Sequence, residues 1–251
     1  MKLISIILPY YKKKKFISKT IKSILSQTHQ KFELIIIYDD NDKGDLIYIK
    51  KLINRNSNIK LIVNKNNIGV ARSRNIGVLK SKGDYICFID ADDLWKKDKL
   101  KVQLEFMKKN RCYISHTHYK IINNNGKLIG LMKIKDLLKY KDLIYSCDVG
   151  LSTVMISAKL KSKIIFPNIK TKEDFILWLK LSRKYDFLGI PKYLVSWRKG
   201  EMSTRYINQK LRDAFNLYSK YEKFTLFKSF LYVIILSFNY IKKSFLQKLY
   251  K

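Results

Sequence analysis

Residues 83–93 have the sequence GDYICFIDADD, in which a short apolar run ends on a cluster of carboxylates. An uninterrupted apolar run of this length is typical of a strand that is buried on both faces. Similar runs occupy residues 3–8, 32–38 and 59–63, and apolar residues recur at helical spacing between them. This alternation predicts an α/β fold with a Rossmann-like, mostly parallel central sheet flanked by helices.

Polar residues follow each of the four predicted strands. They are Pro9, Tyr10 and Tyr11 after the first, Asp39 and Asp40 after the second, Asn64 after the third, and Asp90, Asp92 and Asp93 after the fourth. Open α/β sheets bind ligands beyond the carboxyl ends of their strands. We therefore expect these side chains to gather along one edge of the sheet, where a nucleotide would lie.

The second half of the chain has a different pattern. Residues 113–122 and 127–132 flank Asn125 and Gly126, a pair typical of a β-hairpin turn. Further on, Glu173 and Asp174 precede an amphipathic helical pattern formed by Phe175, Trp178, Leu179 and Ser182. The second half is therefore predicted to be mixed, without a second parallel repeat.

The chain is strongly basic, with 52 Lys and Arg against 20 Asp and Glu and a net charge of +32. Such a charge attracts nucleic acid, anionic lipid or phosphorylated substrates. The basic residues are spread along the whole chain, which favours a generally charged surface over a dedicated nucleic-acid surface. A nucleic-acid-binding protein whose acidic residues are structural caps stays open as an alternative hypothesis.

Cysteine and histidine usage predicts no metal centre of the thiolate type. Cys87, Cys112 and Cys147 form no CxxC pair, and we expect reduced, buried thiols. His116 and His118 point to one side of a strand without a third ligand, which is more typical of ordinary strand residues. The N-terminus shows no signal-peptide pattern, so a cytoplasmic location is expected.

The triplet Asp90-Ala91-Asp92 ends the fourth strand, where two carboxylates can turn toward one hard cation. Mg²⁺ or Mn²⁺ prefers oxygen ligands and shares them with substrate phosphates. Alone, the triplet is a weak motif, because Asp92 or Asp93 would equally serve to cap the next helix. Its weight depends on the motifs around it.

Four blocks in fixed order resemble the family 2 glycosyltransferases of the GT-A fold, the type that builds bacterial surface polysaccharides. The blocks are residues 6–11 (IILPYY), 35–40 (IIIYDD), 67–77 (NIGVARSRNIG) and 83–93 (GDYICFIDADD). A fifth, residues 173–179 (EDFILWL), is similar to the family's Glu-Asp motif at the start of an aromatic helix.

The resemblance implies roles for individual residues. Asp39 or Asp40 would bind the nucleobase, beside a wall formed by Pro9 and Tyr11. Arg74 would bind the nucleotide or its phosphates, Asp90 would bind the ribose side of the nucleotide, and Asp92 would bind the metal. Asp174, next to Glu173, would be the catalytic base. A single base that activates the acceptor implies an inverting transfer. Taken alone, Glu173 and Asp174 also fit a negatively charged helix start.

The implied activity is transfer from a nucleotide-sugar donor, a UDP-sugar, to a saccharide or polyprenyl-linked acceptor in O-antigen or capsule synthesis. A nucleotidyltransferase is a further alternative, although it leaves the Glu-Asp helix unexplained. The chain departs from the family pattern at Lys12, at Asn41-Asp42, and in residues 195–203, which contain no histidine. Arg198 or Lys199 is the expected substitute on the diphosphate.

The predicted domains are a catalytic domain, residues 1–204, and a basic helical region, residues 205–251. The latter has ten Lys or Arg, two acidic residues and the uncharged stretch 229–241. Thirteen residues are too few to span a bilayer, for which about 20 are needed. Peripheral contact with an anionic membrane on its inner face and packing against protein are both expected uses of this region. The sequence predicts no oligomeric state.

Overall fold

The computed structural model describes residues 2–54, 56–200 and 204–249. Within these ranges the chain forms one sheet with helices on both of its faces. Its strands are β1 (Ile4–Tyr10), β2 (Phe32–Tyr38), β3 (Ile59–Val63), β4 (Tyr85–Phe88), β5 (Leu94–Trp95), β6 (Ile114–Ile122), β7 (Leu128–Met132), β8 (Leu137–Leu138), β9 (Met155–Ser157) and β10 (Phe187–Arg198). Its α-helices are α1 (Lys14–Leu25), α2 (Lys43–Ile53), α3 (Val70–Lys80), α4 (Lys99–Lys109), α5 (Tyr140–Leu143), α6 (Glu173–Ser182), α7 (Thr204–Asn216) and α8 (Leu226–Leu249).

The first four strands lie in the order β3-β2-β1-β4 and are parallel. This confirms the predicted α/β sheet. Every residue of β1 is buried, as expected for a strand covered on both faces. The same expectation is wrong for β3, which is only partly buried because it is the edge strand of the sheet.

Helix α3 lies unusually close to the sheet at Gly77. A Cβ atom at this position would lie 2.4 Å from Ile7 Cγ2 on β1. Any larger residue at this position would have to displace the Ile7 side chain or the helix. Gly77 therefore lets α3 pack closely on β1 and β2, three residues after Arg74 on the same helix.

The second half of the sheet is mixed, as predicted. Strand β9 is antiparallel to both β4 and β6, β10 is parallel to β6, and β5 is antiparallel to β10. The predicted hairpin is confirmed as β6 and β7, and Gly126 in its turn has a φ of 85°. Strand β9 thereby joins the parallel half of the sheet to the second half.

Helix α6 begins at Glu173, which confirms the predicted start. Its predicted amphipathic character is wrong, because only Lys180 is exposed and Asp174 is half-buried. A helix that is apolar all round is a core helix. Trp178 is fully buried and its ring packs edge-on against Phe187 of β10.

Helices α7 and α8 form the predicted C-terminal helical region, and α8 packs against both α7 and β7. Between the two helices, the rings of Tyr218 and Phe224 stack with their centroids 6.1 Å apart, and Tyr232 of α8 packs edge-on against both rings. None of the helices in the described ranges is long and apolar enough to cross a membrane. The boundary at residue 204 stays a prediction.

The three cysteines are free thiols, as predicted. Cys87 is fully buried, but the expectation of burial is wrong for Cys112 and Cys147, which are half-buried. Both follow the ends of helices or turns near the surface instead of lying inside a strand.

Candidate active site

Asp39 fixes the loop beyond β3 against the end of β2. Its carboxylate accepts hydrogen bonds from the Asn64 side-chain amide at 2.8 Å and from the backbone N–H groups of Ile68 and Gly69 at 2.9 Å each. Gly69 has a φ of 88°, which favours glycine and turns the chain into α3. Asp39 is thus the anchor of the strand-end loops. Its contact with a nucleobase stays a prediction.

Asp40 holds the loop that follows β1. Its carboxylate accepts the backbone N–H of Lys12 and that of Asn41, each at 2.8 Å. Lys12 has a φ of 50°, so its backbone is in the left-handed region. Tyr11 is 47% exposed beside this loop, whereas Pro9 is buried within β1. Of the two predicted wall residues, Tyr11 therefore offers the open surface.

Residues 90–93, which follow β4, form the acidic loop, and Asp93 is its structural carboxylate. It is 1% exposed and accepts hydrogen bonds from the Ser152 hydroxyl at 2.6 Å and the Arg198 backbone N–H at 2.8 Å. Burial, together with the neighbouring charges of Asp90 and Asp92, raises the pKa of Asp93 well above its usual range. Asp93 thus ties the acidic loop to the second half of the sheet.

The alternative that Asp92 or Asp93 caps the next helix is wrong. Helix α4 starts at Lys99, and the residue at its N-cap is Asp98. The carboxylates of Asp92 and Asp93 instead contact side chains and backbone from other parts of the chain. The acidic loop is therefore available for another role.

Asp92 is a mostly buried carboxylate of the acidic loop, and Lys13 Nζ is 2.6 Å from its Oδ2 atom. Burial and the charge of Asp90 raise the pKa of Asp92, although the Lys13 ammonium opposes this effect. The Asp92 carboxylate is therefore poorly solvated and lies beside a second carboxylate, with Lys13 as its cationic partner. Lys13 was not singled out from the sequence, where it is one of four consecutive lysines.

The donor set fits a hard divalent cation that is shared with a substrate. Asp90 and Asp92 offer carboxylate oxygens, which Mg²⁺ and Mn²⁺ prefer. Among the residues that the structure describes, no group of three or more His, Cys, Asp or Glu side chains could hold a metal by itself. A cation at this loop would therefore need oxygen ligands from a bound diphosphate. His116 and His118 are likewise part of no such group.

Arg74 joins the acidic loop to the start of α6. Its Nη2 atom lies 2.7 Å from Asp90 Oδ1, and its Nη1 atom donates to Glu173 Oε1. Burial of the Arg74 side chain, which is 4% exposed, lowers its pKa. The negative charges of Asp90, Glu173 and Asp174 outweigh this effect and raise the pKa of Arg74 above its usual value. Both terminal nitrogens contact carboxylates, so Arg74 directly positions the two acidic motifs. Its predicted contact with nucleotide phosphates stays a prediction.

Glu173 and Asp174 differ in their surroundings. Glu173 is 7% exposed, and burial raises its pKa to about 7 even though Arg74 opposes this shift. Asp174 is half-buried, and burial raises its pKa as well. Asp174 Oδ1 accepts the Phe175 N–H at 2.7 Å, which fixes the carboxyl group at the helix start. A raised pKa suits a residue that removes a proton near neutral pH.

Arg198, which the sequence suggested as a ligand of the diphosphate, donates hydrogen bonds to backbone carbonyl groups in this structure. Its Nε donates to the Asp92 carbonyl at 2.9 Å, and its Nη1 donates to the Asn123 carbonyl at 2.6 Å. The guanidinium also packs over the Phe16 ring. Arg198 therefore holds the acidic loop against the β6–β7 turn. The predicted segment 195–203 lies partly outside the described residues, because these exclude residues 201–203.

A model of the family described as glycosyl transferase family 2 matches residues 5–162. This range contains the acidic loop and all four strand-end blocks. The chain belongs to glycosyl transferase family 2. The resemblance stated from the sequence is thereby confirmed, and the family is favoured over a nucleic-acid-binding protein or a nucleotidyltransferase.

Relatives of this family 2 chain differ in length. An uncharacterized glycosyltransferase of Haemophilus influenzae is 33% identical over 95% of this chain and 96% of its own length. The Escherichia coli protein named UDP-Glc:alpha-D-GlcNAc-diphosphoundecaprenol beta-1,3-glucosyltransferase WfgD is 36% identical over 75% of this chain and 73% of its own. The chain spans only 32% of the length of a Rickettsia conorii glycosyltransferase that is 38% identical to it.

The solved structure of S. aureus TarS residues 1–349 with UDP-GlcNAc has the same fold as this family 2 chain. The TM-score is 0.67 at 22% identity, over 88% of this chain and 67% of that one. The likeness confirms the predicted GT-A fold class. The roles of the individual site residues in binding and catalysis stay predictions.

Proposed function

We propose that this chain is an inverting, metal-assisted glycosyltransferase that moves a sugar from a UDP-sugar to a hydroxyl of a saccharide or lipid-linked acceptor in surface polysaccharide synthesis. The observation that carries the proposal is the Arg74 bridge between Asp90 and Glu173. It fixes a donor-side carboxylate and the residue beside the base in one buried network. The name of WfgD supports both the UDP-linked donor and the lipid-linked acceptor.

In this proposal Asp174 accepts the proton of the acceptor hydroxyl. The acceptor oxygen forms a bond to the anomeric carbon, and the bond from that carbon to the nucleoside diphosphate breaks. Arg74 holds Glu173 beside the base and Asp90 toward the donor. One base and one displacement lead to inversion at the anomeric carbon.

On the donor side, Asp92 is the proposed ligand of Mg²⁺ or Mn²⁺, with Asp90 beside it. When bound, the cation acts as a Lewis acid that stabilises the departing diphosphate. Lys13 contacts Asp92, and in this proposal its ammonium also binds a phosphate oxygen. Asp93 and Arg198 hold the loop that carries these groups.

Titration of the protein with UDP, with and without Mn²⁺, tests the donor site. We expect Mn²⁺ to tighten UDP binding to wild type, and Asp92→Ala to remove that dependence, because the carboxylate shared by metal and phosphate is lost. Calorimetry measures both affinities. Asp98→Ala is a matched control, since Asp98 lies at the α4 N-cap without a side-chain capping bond. Equal Mn²⁺ dependence in Asp92→Ala and wild type would contradict the assignment.

We also propose that α8 contacts an anionic membrane. One side of this helix packs on the protein through Leu236, which is 7% exposed, whereas Phe227 and Phe230 on other sides are 82% and 60% exposed. Further exposed apolar residues of α8 are Leu226, Leu231, Ile234, Phe238 and Ile241. Exposed apolar side chains next to Lys228 and Lys242 are suited to binding at the interface of an anionic membrane, where the apolar groups enter the lipid and the lysines contact the head groups.

The double substitution Phe227→Ser and Phe230→Ser is expected to abolish flotation with vesicles that contain about one-third phosphatidylglycerol, because apolar contact is lost while the lysines remain. The thermal midpoint should be unchanged, since both side chains are exposed. Leu79→Ser, at a residue that is 71% exposed on α3, is the matched control and should float like wild type. Flotation of the double variant at the wild-type level would refute the membrane contact.

A further inference from the structure

Two lysines from different helical segments lie in the electrostatic surroundings of Asp174. Lys172 directly precedes α6, and Lys210 lies on α7. The Asp213 carboxylate of α7 accepts the Thr171 backbone N–H at 2.9 Å and the Thr171 hydroxyl at 2.8 Å. Because Lys210 and Asp213 are three residues apart, they lie on the same face of α7. The contact with Thr171 therefore places the face of α7 that carries Lys210 beside the segment that leads into α6.

The surroundings of Lys210 agree with this position. Its ammonium lies 4.6 Å from the centre of the Tyr206 ring, one helical turn earlier on α7. Burial, and secondarily the positive charge of Lys172, lowers the pKa of Lys210, while the charge of Asp174 opposes that effect. The Lys210 ammonium is thus partly buried and lies within electrostatic range of both Lys172 and the proposed base.

Neither ammonium is used in an ion pair with a carboxylate in the described part of the chain. Lys172 has a φ of 69°, a left-handed conformation that is unfavourable for a residue with a side chain. A partly buried pair of like charges and an unfavourable backbone conformation both oppose folding. Such features persist at sites where a ligand uses them.

We propose that Lys172 and Lys210 bind the diphosphate of the acceptor, so that the acceptor is a sugar attached to a diphosphate ester. The inference rests on the proposed function, in which the acceptor hydroxyl lies at Asp174. In a sugar diphosphate, the phosphates are one sugar ring away from the reacting hydroxyl, which places them beside the base. Lys13 and Arg74 belong to the acidic loop and the donor side.

This position also suits the rest of a lipid-linked acceptor. Helix α8 packs against α7, and it carries the exposed apolar side chains Phe227 and Phe230. An acceptor whose diphosphate is bound by Lys210 of α7 has its hydrocarbon chain attached on the side of the C-terminal helices. The two lysines select the head group, whereas α8 contacts the apolar phase.

The test measures binding of butyl diphosphate, a short probe that does not depend on α8, in the presence of saturating UDP and Mn²⁺. Saturating UDP excludes the probe from the donor site. We expect wild type to bind the probe and the double variant Lys172→Gln, Lys210→Gln to bind it at least about tenfold more weakly, because two charge-assisted contacts are lost. The matched controls are Lys180→Gln and Lys220→Gln, both at exposed lysines nearby in sequence, and they should bind like wild type.

UDP titration in the same variants separates the two proposals. UDP affinity that is unchanged in the double variant, together with weakened probe binding, supports the acceptor subsite. Equal loss of UDP affinity would assign the lysines to the donor diphosphate and overturn the inference. Wild-type protein that binds UDP but not butyl diphosphate overturns it while the proposed function stands. Failure of wild type to bind UDP defeats the proposed function, and the inference with it.

Discussion

Asp174→Asn is expected to lower the turnover number for sugar transfer by about 10²–10⁴-fold, the usual contribution of a positioned general base. The amide has the same shape but cannot accept the hydroxyl proton. The affinity for UDP should stay within about twofold of wild type, because Asp92 and its loop are untouched. Single-turnover transfer and UDP calorimetry measure the two quantities. Asp186→Asn, at a carboxylate whose side chain is 49% exposed, is the matched control.

The pH profile gives a second readout for the same residue. Burial raises the pKa of Asp174, and the neighbouring Glu173 has a pKa raised to about 7. A general base works only when deprotonated, so transfer should fall as the pH is lowered, and the fall should begin at a higher pH than for an ordinary aspartate. Residual transfer by Asp174→Asn should lose this acidic limb. Wild-type turnover in Asp174→Asn would show that another group removes the proton.

The fold of the first half was predictable from local patterns. Continuous apolar runs specified β1, β2 and β4, and the acidic residues that follow them had to meet because parallel strands end at one edge. The hydrogen bond from Asn64 to Asp39 is a direct outcome of that rule. Burial of β3 was overestimated because a sequence run does not reveal which strand lies at the sheet edge.

Contacts between distant segments were not predictable in this way. Glu173 was placed correctly at a helix start, but its partner Arg74 is 99 positions away in sequence. Lys13 was hidden within a run of four lysines, of which only one contacts Asp92. Arg198 was expected at the diphosphate, yet its donors bind backbone carbonyls, because strand β10 brings it under the acidic loop. Such pairings depend on tertiary packing.

Arg74→Met is expected to destabilise the protein by about 3–5 kcal/mol, the usual effect of removing one partner from a buried ion pair. The substitution fills similar space, but it leaves Glu173 and Asp90 without their shared cation. Urea denaturation at neutral pH measures the change. Arg72→Met, at an exposed arginine on the same helix, is the matched control and should change stability by less than about 0.5 kcal/mol.

The loss in Arg74→Met should depend on pH. Glu173 already has a pKa raised to about 7 by burial, far above the value of about 4.3 for an unfolded chain. A carboxyl group with a raised folded-state pKa stabilises the fold at low pH and loses that contribution as the pH rises through the folded pKa. Without Arg74, the pKa of Glu173 in the folded state rises further. The destabilisation caused by Arg74→Met should therefore be small near about pH 5 and large near about pH 8. Adding Glu173→Gln to Arg74→Met should recover part of the stability at the higher pH, since the buried Glu173 charge is then removed. An Arg74→Met penalty that is equal at both pH values would show that lost packing, instead of the unpaired Glu173 charge, determines the effect.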